Sequence, residues 1–170
     1  MSVSVASPPV ATPRATRSVR EARRDDEAGL IALVRSVAEF TPDEVEVALE
    51  LIESTLAETD DYRVLVALEG DRVVGYACFG PTPMTKGTFD LYWIASSRHA
   101  RGSGVGRALI DAVMQRLRAC GGRLLRVETS SRAEYLATRR FYDRASFEHA
   151  ATIPGFYDVD DDLLIYVRRA

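Results

Sequence analysis

Residues 94–106 read Ile94-Ala95-Ser96-Ser97-Arg98-His99-Ala100-Arg101-Gly102-Ser103-Gly104-Val105-Gly106 and connect two elements with different periodicities. The preceding residues, Thr88 to Ala95, are rich in aromatic and β-branched side chains, a composition typical of a strand. The following residues, Gly104 to Cys120, place apolar side chains at helical spacing and are stopped by Gly121-Gly122. The segment is therefore predicted to turn a strand into a helix, with glycine at every second position from 102 to 106.

This turn has the features of an anion-binding loop. Its alternating glycines leave the backbone N–H groups unobstructed by side chains. At the N-terminus of a helix such donors converge, and the helix dipole adds partial positive charge. Arg101 and Arg107 add full positive charges beside the glycines. We therefore expect the turn to bind a diphosphate.

Two common phosphate-binding motifs do not fit this turn. The dinucleotide fingerprint needs a glycine where Arg107 stands, and no GxxxxGK[ST] P-loop occurs in the chain. Arg101-x-x-Gly104-x-Gly106 instead resembles the R/Q-x-x-G-x-G/A motif of the GCN5-related N-acetyltransferase (GNAT) family. In that family the backbone amides of this motif hold the pyrophosphate of acetyl-CoA. The resemblance implies these residues for binding acetyl-CoA: Ile94, Ala95, Ser96, Arg101, Gly102, Ser103, Gly104, Val105, Gly106 and Arg107.

A second segment, Thr138 to Phe147, resembles the A-x-x-F-Y-x-x-x-G-F signature of the same family. By that resemblance Tyr142 is the general acid that protonates the CoA thiolate as it leaves. Free phenols titrate at about 10 and thiols at about 8.5, so this proton transfer is only modestly uphill. The alternative for Tyr142 is an ordinary aromatic side chain at a helix end.

The chain also departs from the family pattern at particular positions. At five positions the family usually has, in order, valine, proline, asparagine, alanine and glycine. This chain has Ser96, Arg98, Tyr135, Thr138 and Ser146 at those positions. Ser146 bears most directly on the backbone, because glycine normally allows a left-handed cap there. A serine at that position should cost some stability.

Transfer of acetyl to an amine needs a base, because an ammonium group cannot attack a thioester. Asp90 and Glu128 are the candidates for collecting the proton, directly or through water, and a surface or ion-paired role is the alternative for each. Strand alternation predicts that Asp90, Tyr92 and Ile94 share one face. The oxyanion is expected to bind a backbone N–H near Ile94 or Ala95.

Three segments are expected to wall the acceptor groove. Residues 153–162 are predicted to link the last two strands, and they combine aromatic side chains with four aspartates. Such a rim would attract a cationic amine, although a solvated turn is the alternative. Phe40 to Asp43 and Pro81 to Gly87 are the other expected walls.

Composition limits the class of protein. The 170 residues suit one domain, 46% are hydrophobic, and the net charge is −3, so no affinity for nucleic acid or an anionic membrane is expected. No run approaches the ~20 apolar residues of a membrane span, no secretory leader is seen, and a cytoplasmic location is predicted. The isolated Cys78, Cys120, His99 and His149 lack the spacing of a zinc site, so no metal is expected.

The elements follow the order β-α-α-β-β-β-α-β-α-β-β from about Ser18 to Val167, and the resemblance extends over this range. Apolar spacing predicts the first helix over Glu27 to Phe40. A capping box at Thr41-Pro42-Asp43-Glu44 predicts the start of the second, which is expected to run to about Glu58. The predicted fold class is α/β: a GNAT fold whose twisted mixed sheet of about seven strands is covered by four helices in a single domain. The acetyltransferase domain is expected to span residues 18–170. Residues 1–17, rich in Ser, Pro, Thr and Ala, are predicted to be a disordered tail.

The resemblance implies an acetyl-CoA-dependent N-acetyltransferase that moves acetyl directly to a primary amine in a ternary complex. The expected acceptor is a small-molecule or peptide amine, acetyl-CoA serves as cosubstrate, and homodimers are frequent among similar proteins. Two alternatives stay open. One is a non-catalytic acyl-CoA-binding regulatory module, which would need neither Tyr142 nor a base. The other is a nucleotide-binding α/β domain for a different diphosphate ligand.

Overall fold

The computed structural model describes residues 17–38, 40–57 and 61–170. The strands are β1 (Arg17–Glu21), β2 (Arg63–Glu69), β3 (Arg72–Pro81), β4 (Thr88–Ser96), β5 (Leu124–Ser130), β6 (Glu148–Asp158) and β7 (Asp161–Arg169). The α-helices of the described residues are α1 (Glu27–Ser36), α2 (Pro42–Leu56), α3 (Val105–Ala119) and α4 (Leu136–Arg144). All strands form one mixed sheet in the order β1-β2-β3-β4-β5-β7-β6. The predicted fold class and element order are confirmed.

The sheet separates two hydrophobic cores. On one face α3 packs through residues such as Leu109 and Val113, and Tyr142 of α4 joins the same cluster. On the other face α1 and α2 pack against β2 and β3 through residues such as Leu30 and Ile52. None of the described helices is long and apolar enough to cross a membrane.

The start of α2 is set by its own sequence. Thr41 Oγ1 accepts a hydrogen bond from the Glu44 N–H at 3.3 Å, and Glu44 Oε2 accepts one from the Thr41 N–H at 2.7 Å. Pro42 occupies the first turn. This is the predicted capping box. The expected helix end near Glu58 lies outside the described residues.

The first helix is shorter than its pattern predicts. It ends at Ser36 rather than at Phe40, because Val37 adopts an extended conformation. Val37 is 9% exposed, and the Phe40 ring packs edge-on against Trp93 at a centroid distance of 5.0 Å. Packing of these side chains into the core therefore overrides continuation of the helix.

A β-bulge interrupts β4. Cys78 of β3 lies opposite Trp93, whereas the next residue, Phe79, lies opposite Leu91, so Tyr92 is an extra residue. The prediction that Asp90, Tyr92 and Ile94 share a face is therefore wrong for Ile94. Tyr92 packs toward the α1–α2 face, while Ile94 packs toward the α3 face, because the bulge shifts the alternation by one residue.

The strands β4 and β5 separate just before the bulge. They pair in parallel only at Thr88–Leu124, Phe89–Leu125 and Asp90–Arg126. Beyond Asp90 the β5 side of β4 has no ladder partner among the described residues. A wedge therefore opens in the middle of the sheet, bounded by residues 91–96 of β4 and 127–130 of β5.

The last two strands form a longer hairpin than predicted. Residues 153–162 were expected to link them, but β6 extends to Asp158 and β7 begins at Asp161. The register shifts between Ile153 and Asp158, so most of the segment is bulged strand rather than loop. Backbone pairing to β7 explains the difference. A bulge interrupts the two-residue alternation of a strand, so the sequence pattern does not show that the strand continues. Of the predicted tail, residues 1–16 lie outside the described part, and Arg17 belongs to β1.

The end of α4 carries the conformation expected at Ser146. Its φ is +65°, in the left-handed region that favours glycine. The Phe147 N–H donates to the Tyr142 carbonyl at 3.0 Å and closes the helix end. The serine is therefore accommodated in the strained conformation that the family pattern predicts.

Candidate active site

The loop before α3 has the backbone of an anion-binding turn. Gly102 has a φ of +72° and Gly104 a φ of +92°. A Cβ added at either position would meet nothing within 4 Å, so the loop faces open space on that side. The Ser103 hydroxyl donates to the Ala100 carbonyl at 2.5 Å, and the Arg17 guanidinium donates to the Ser103 carbonyl. These contacts hold the loop in a defined shape.

The first amides of α3 are available as donors. The Ala108 N–H makes the first helical bond, to the Gly104 carbonyl at 3.0 Å. The amides from Gly104 to Arg107 precede that bond and have no acceptor within the helix. No side chain of the described residues caps this end. Together with the open space at the glycines, these donors fit a diphosphate.

Gly106 has a different role from the other two glycines. A Cβ at this position would lie 2.9 Å from Cε2 of Phe141, whose ring packs directly on the α3 backbone. The glycine motif and the Phe141-Tyr142 motif therefore meet at this contact. In the sequence they are two separate signatures, and the packing of α4 against α3 brings them into contact.

The two arginines of the motif are placed differently. Arg101 is exposed in the loop itself. The Arg107 side chain turns away along the helix, with Nε 3.0 Å from Asp111 Oδ2 and a guanidinium N–H donating to the Arg144 carbonyl at 3.1 Å. Its guanidinium therefore links α3 to the end of α4. Only its backbone N–H lies with the uncapped amides at the start of α3.

The free edge of β4 presents alternate amides to the wedge. The Ser97 N–H donates to the Val74 carbonyl of β3 at 2.9 Å. Since N–H groups alternate in direction along an antiparallel strand, the Ala95 N–H also points toward β3. The N–H groups of Ile94 and Ser96 point the other way, into the wedge. Of the two residues predicted to hold the oxyanion, Ile94 therefore has the suitable orientation.

Tyr142 is a buried side chain of α4. It is 4% exposed, and its ring packs against Phe141, Phe147 and Tyr166 at centroid distances between 5.4 and 5.7 Å. Burial raises the pKa of its phenol above the ordinary value. The phenol therefore stays protonated throughout the neutral range, the form that a proton donor requires.

Asp90 and Glu128 lie on either side of one arginine. Arg126 Nε is 2.6 Å from Asp90 Oδ1, and the same guanidinium is 3.0 Å from Glu128 Oε1. The Thr82 hydroxyl donates to Asp90 Oδ2 at 2.8 Å. Asp90 is thus buried with both oxygens bonded, whereas the Glu128 side chain is 38% exposed. Glu128 is the better placed of the two for exchanging protons with a substrate.

This cluster lines a cleft of about 130 Å³ at the point where β4 and β5 separate. The hydrogen bond from Arg126 to Asp90 raises the pKa of the guanidinium. Desolvation, followed by the charge of Asp90, raises the pKa of the Tyr92 phenol to about 12. Asp90 and Glu128 outnumber Arg126, so the cleft carries net negative charge. Thr82 of the predicted wall 81–87 adjoins it through its hydrogen bond to Asp90.

Glu44 and Tyr135 are further residues of this region that were not predicted from the sequence, whereas Tyr157 belongs to the predicted wall 153–162. The Tyr135 hydroxyl donates to Glu44 Oε1 at 3.3 Å and joins residues 91 positions apart. Desolvation and the charge of Glu44 raise the pKa of Tyr135 to about 12. Desolvation, then the charges of Glu128, Asp161 and Glu44, raises the pKa of Tyr157. Two features of the sequence single out these residues: Glu44 completes a capping box, and Tyr135 stands where the family usually has asparagine.

Replacing Asp90 with asparagine should lower the free energy of unfolding by about 1–3 kcal/mol, because Arg126 would lose its shortest charged partner in a mostly buried setting. Urea denaturation would measure the change. Asp111→Asn serves as the control, since that carboxylate pairs with Arg107 and Arg168 but is 48% exposed, and its loss should cost about 1 kcal/mol or less. Equal losses in the two variants would contradict the anchoring role of Asp90.

The fold and site together define a class of protein: a mixed sheet split between two parallel strands, with a glycine-rich loop and uncapped helix amides after the first of them. The acetyltransferase (GNAT) family model matches residues 24–147, more than half of the chain. The chain belongs to this family. Its enzyme class is therefore that predicted from the sequence, an N-acetyltransferase that takes its acyl group from acetyl-CoA.

Solved structures support the same assignment. A GNAT-family acetyltransferase structure from Desulfovibrio desulfuricans is 43% identical, has a TM-score of 0.86, and covers 91% of this chain and 99% of its own. An aminoglycoside 6'-N-acetyltransferase complexed with coenzyme A has a TM-score of 0.72 at 14% identity, covering 89% and 96%.

The ribosomal-protein-S18-alanine N-acetyltransferase from Escherichia coli has a TM-score of 0.70 at 18% identity, covering 91% of this chain and 94% of its own. At such identities the last two structures show the fold alone. Among proteins with curated functions, none matches this chain significantly.

Proposed function

We propose that the protein transfers acetyl from acetyl-CoA directly to a primary amine, in a ternary complex formed at the wedge between β4 and β5. The observation that carries this proposal is the arrangement along β4. The diphosphate-binding loop follows one end of its free edge, and the carboxylate cluster at Asp90 lies at the other. The intervening residues 91–96 span roughly 20 Å of extended strand. An elongated thioester arm bound along this edge would bring its reactive end toward the cluster.

Each residue of the site has a separate role in the proposed reaction. The amides of Gly104 to Arg107 bind the pyrophosphate, and the outward N–H groups of Ile94 and Ser96 bind the arm and the carbonyl oxygen. Glu128 accepts a proton from the incoming ammonium, directly or through water. The amine nitrogen then bonds to the acetyl carbon, the carbon–sulfur bond breaks, and Tyr142 donates its proton to the departing thiolate. The nitrogen releases its second proton to solvent as the amide forms, and a proton from solvent restores the Tyr142 phenol. Asp90 holds Arg126 in place.

The overall proposal is tested by mixing purified protein with acetyl-CoA and a panel of primary amines, and by measuring the release of free thiol. We expect amine-dependent release and binding of CoA in preference to ADP and NAD. Tight CoA binding without release against any amine would support a non-catalytic acyl-CoA-binding module instead. Preferential competition by ADP or NAD would overturn the choice of ligand.

Replacing Glu128 with glutamine should lower kcat on the order of 100-fold near neutral pH, since general base catalysis contributes about that much. CoA affinity should stay unchanged. The deficit should shrink at high pH, where the amine loses its proton without help. Glu50→Gln, at an exposed position of α2, is the charge-matched control. An unchanged pH–rate profile for the Glu128 variant would exclude this residue as the base.

A further inference from the structure

The mouth of the wedge carries more negative charge than the chain neutralises. Glu44 belongs to this region because it bonds to Tyr135 and because Tyr157 lies within the electrostatic reach of both Glu44 and Glu128. The carboxylates of Glu44, Asp90 and Glu128 contribute −3, and Arg126 contributes +1, which leaves −2. Glu44 is bonded only by neutral donors, the Thr41 N–H and the Tyr135 hydroxyl. It has no ion-pair partner within residues 17–38, 40–57 and 61–170.

Neighbouring arginines do not offset this charge, because the two positive charges of Arg132 and Arg139 are matched by the two negative charges of Asp158 and Asp161. Arg132 Nε is 3.2 Å from Asp161 Oδ2, and its guanidinium also reaches Asp158 at 3.5 Å. Arg139 donates to the Ser130 and Arg132 carbonyls at 2.8 and 2.7 Å. A carboxylate brought by an acceptor would therefore meet repulsion and no unengaged arginine among these residues.

Aromatic rings stand beside the unneutralised carboxylates. Tyr135 lies against Glu44, and Tyr157 lies within the electrostatic reach of Glu44 and Glu128. The Tyr157 and Phe156 rings pack edge-on at 5.0 Å and are 49% and 55% exposed. Carboxylates together with exposed aromatic faces are the surroundings that bind organic cations. These groups come from α2, β5 and β6, which only the folded chain brings together.

We propose that the acceptor is a small amine carrying a second positive charge, and that Glu44 binds this second charge. The inference rests on the proposed function, because it names the class of amine that the same site acetylates. The reacting amine gives up its proton near Glu128, while the distal cation stays ionised against Glu44 and the tyrosine rings. An amine whose distal end is neutral loses this contact, and one whose distal end is a carboxylate is repelled.

Three amines that are each built on a four-carbon chain test the proposal: diaminobutane, butylamine and γ-aminobutyrate. They share the reacting group and differ only in the distal charge. We expect kcat/KM to be highest for diaminobutane, about fivefold lower for butylamine, as for loss of one partly exposed ion pair, and lowest for γ-aminobutyrate. Raising the ionic strength should increase KM more for diaminobutane, which brings two positive charges, than for butylamine, which brings one. Equal values for the three amines, or preference for γ-aminobutyrate, would overturn the proposal.

Glu44→Gln assigns the effect to a residue. Glutamine can replace glutamate in a capping box, so α2 should keep its start and the protein should fold. The variant should lose about fivefold in kcat/KM for diaminobutane and nothing for butylamine. Glu50→Gln removes the same charge from an exposed position of the same helix and should change neither value. A loss of equal size for both amines would show that Glu44 acts through structure alone, against the proposal.

Failure of this inference can be told apart from failure of the proposed function. If butylamine is acetylated as well as diaminobutane, acetyl transfer stands and the dicationic acceptor is excluded. If none of the three is acetylated, the dicationic acceptor is again excluded. Thiol release against the wider amine panel, including peptide amines, then decides separately whether the protein acetylates amines.

Discussion

Gly104→Ala is expected to weaken CoA binding by about 10- to 100-fold, which corresponds to about 1.4–2.7 kcal/mol. Gly104 has a φ of +92°, and an L-residue in the left-handed region costs about 1–2 kcal/mol. The added Cβ would also enter the open space that the loop amides face. Calorimetric titration with CoA would measure the affinity of the variant.

Gly121→Ala is the matched control for this substitution. Gly121 follows the other end of α3, has a φ of +73°, and also has nothing within 4 Å of an added Cβ. Both variants should lose similar stability in thermal unfolding, but only Gly104→Ala should lose CoA affinity. If the two variants bound CoA equally well, the loop before α3 would not be the diphosphate site.

Tyr142→Phe is expected to slow turnover on the order of 100-fold and to leave CoA affinity near that of the wild type, since general acid catalysis contributes about this much. The ring contacts with Phe141, Phe147 and Tyr166 survive the loss of one oxygen, so the fold should be kept. Single-turnover measurement of thiol release would isolate the chemical step from product dissociation.

Tyr166→Phe provides the comparison, because Tyr166 is also a buried tyrosine of the same core and packs against Tyr142 at 5.7 Å. It should retain nearly full turnover. Undiminished thiol release in Tyr142→Phe would remove this residue from the mechanism. Equal slowing in both variants would point to packing of the core rather than to proton donation.

Local patterns in the sequence were sufficient to predict the fold and the glycine loop that we expect to bind a diphosphate. Glycines at 102 and 104 occupy positive φ, which is a property of single residues and can be read without neighbours. The capping box from Thr41 to Glu44 spans four residues, and the apolar period of α3 spans one helix. Each depends on sequence separations of a few residues, so pattern reasoning could detect it.

Asp90 and Glu128 were recognisable as candidates because they lie at predictable places on two strands. Their sharing of Arg126 was not predictable, since it depends on the parallel register of β4 and β5. The contact between Glu44 and Tyr135 was also missed, because it joins a helix start to a segment 91 residues later. No local period connects such residues.

The sequence by itself therefore determined the family, the order of the elements and the loop before α3, because these depend on backbone preferences of neighbouring residues. The tertiary structure alone decided the bulge at Tyr92, the wedge beyond Asp90 and the extension of β6 to Asp158. Strand register depends on competition between distant segments for the same hydrogen bonds and the same core volume. The acidic mouth of the wedge arises from that competition, and the proposed acceptor class rests on it.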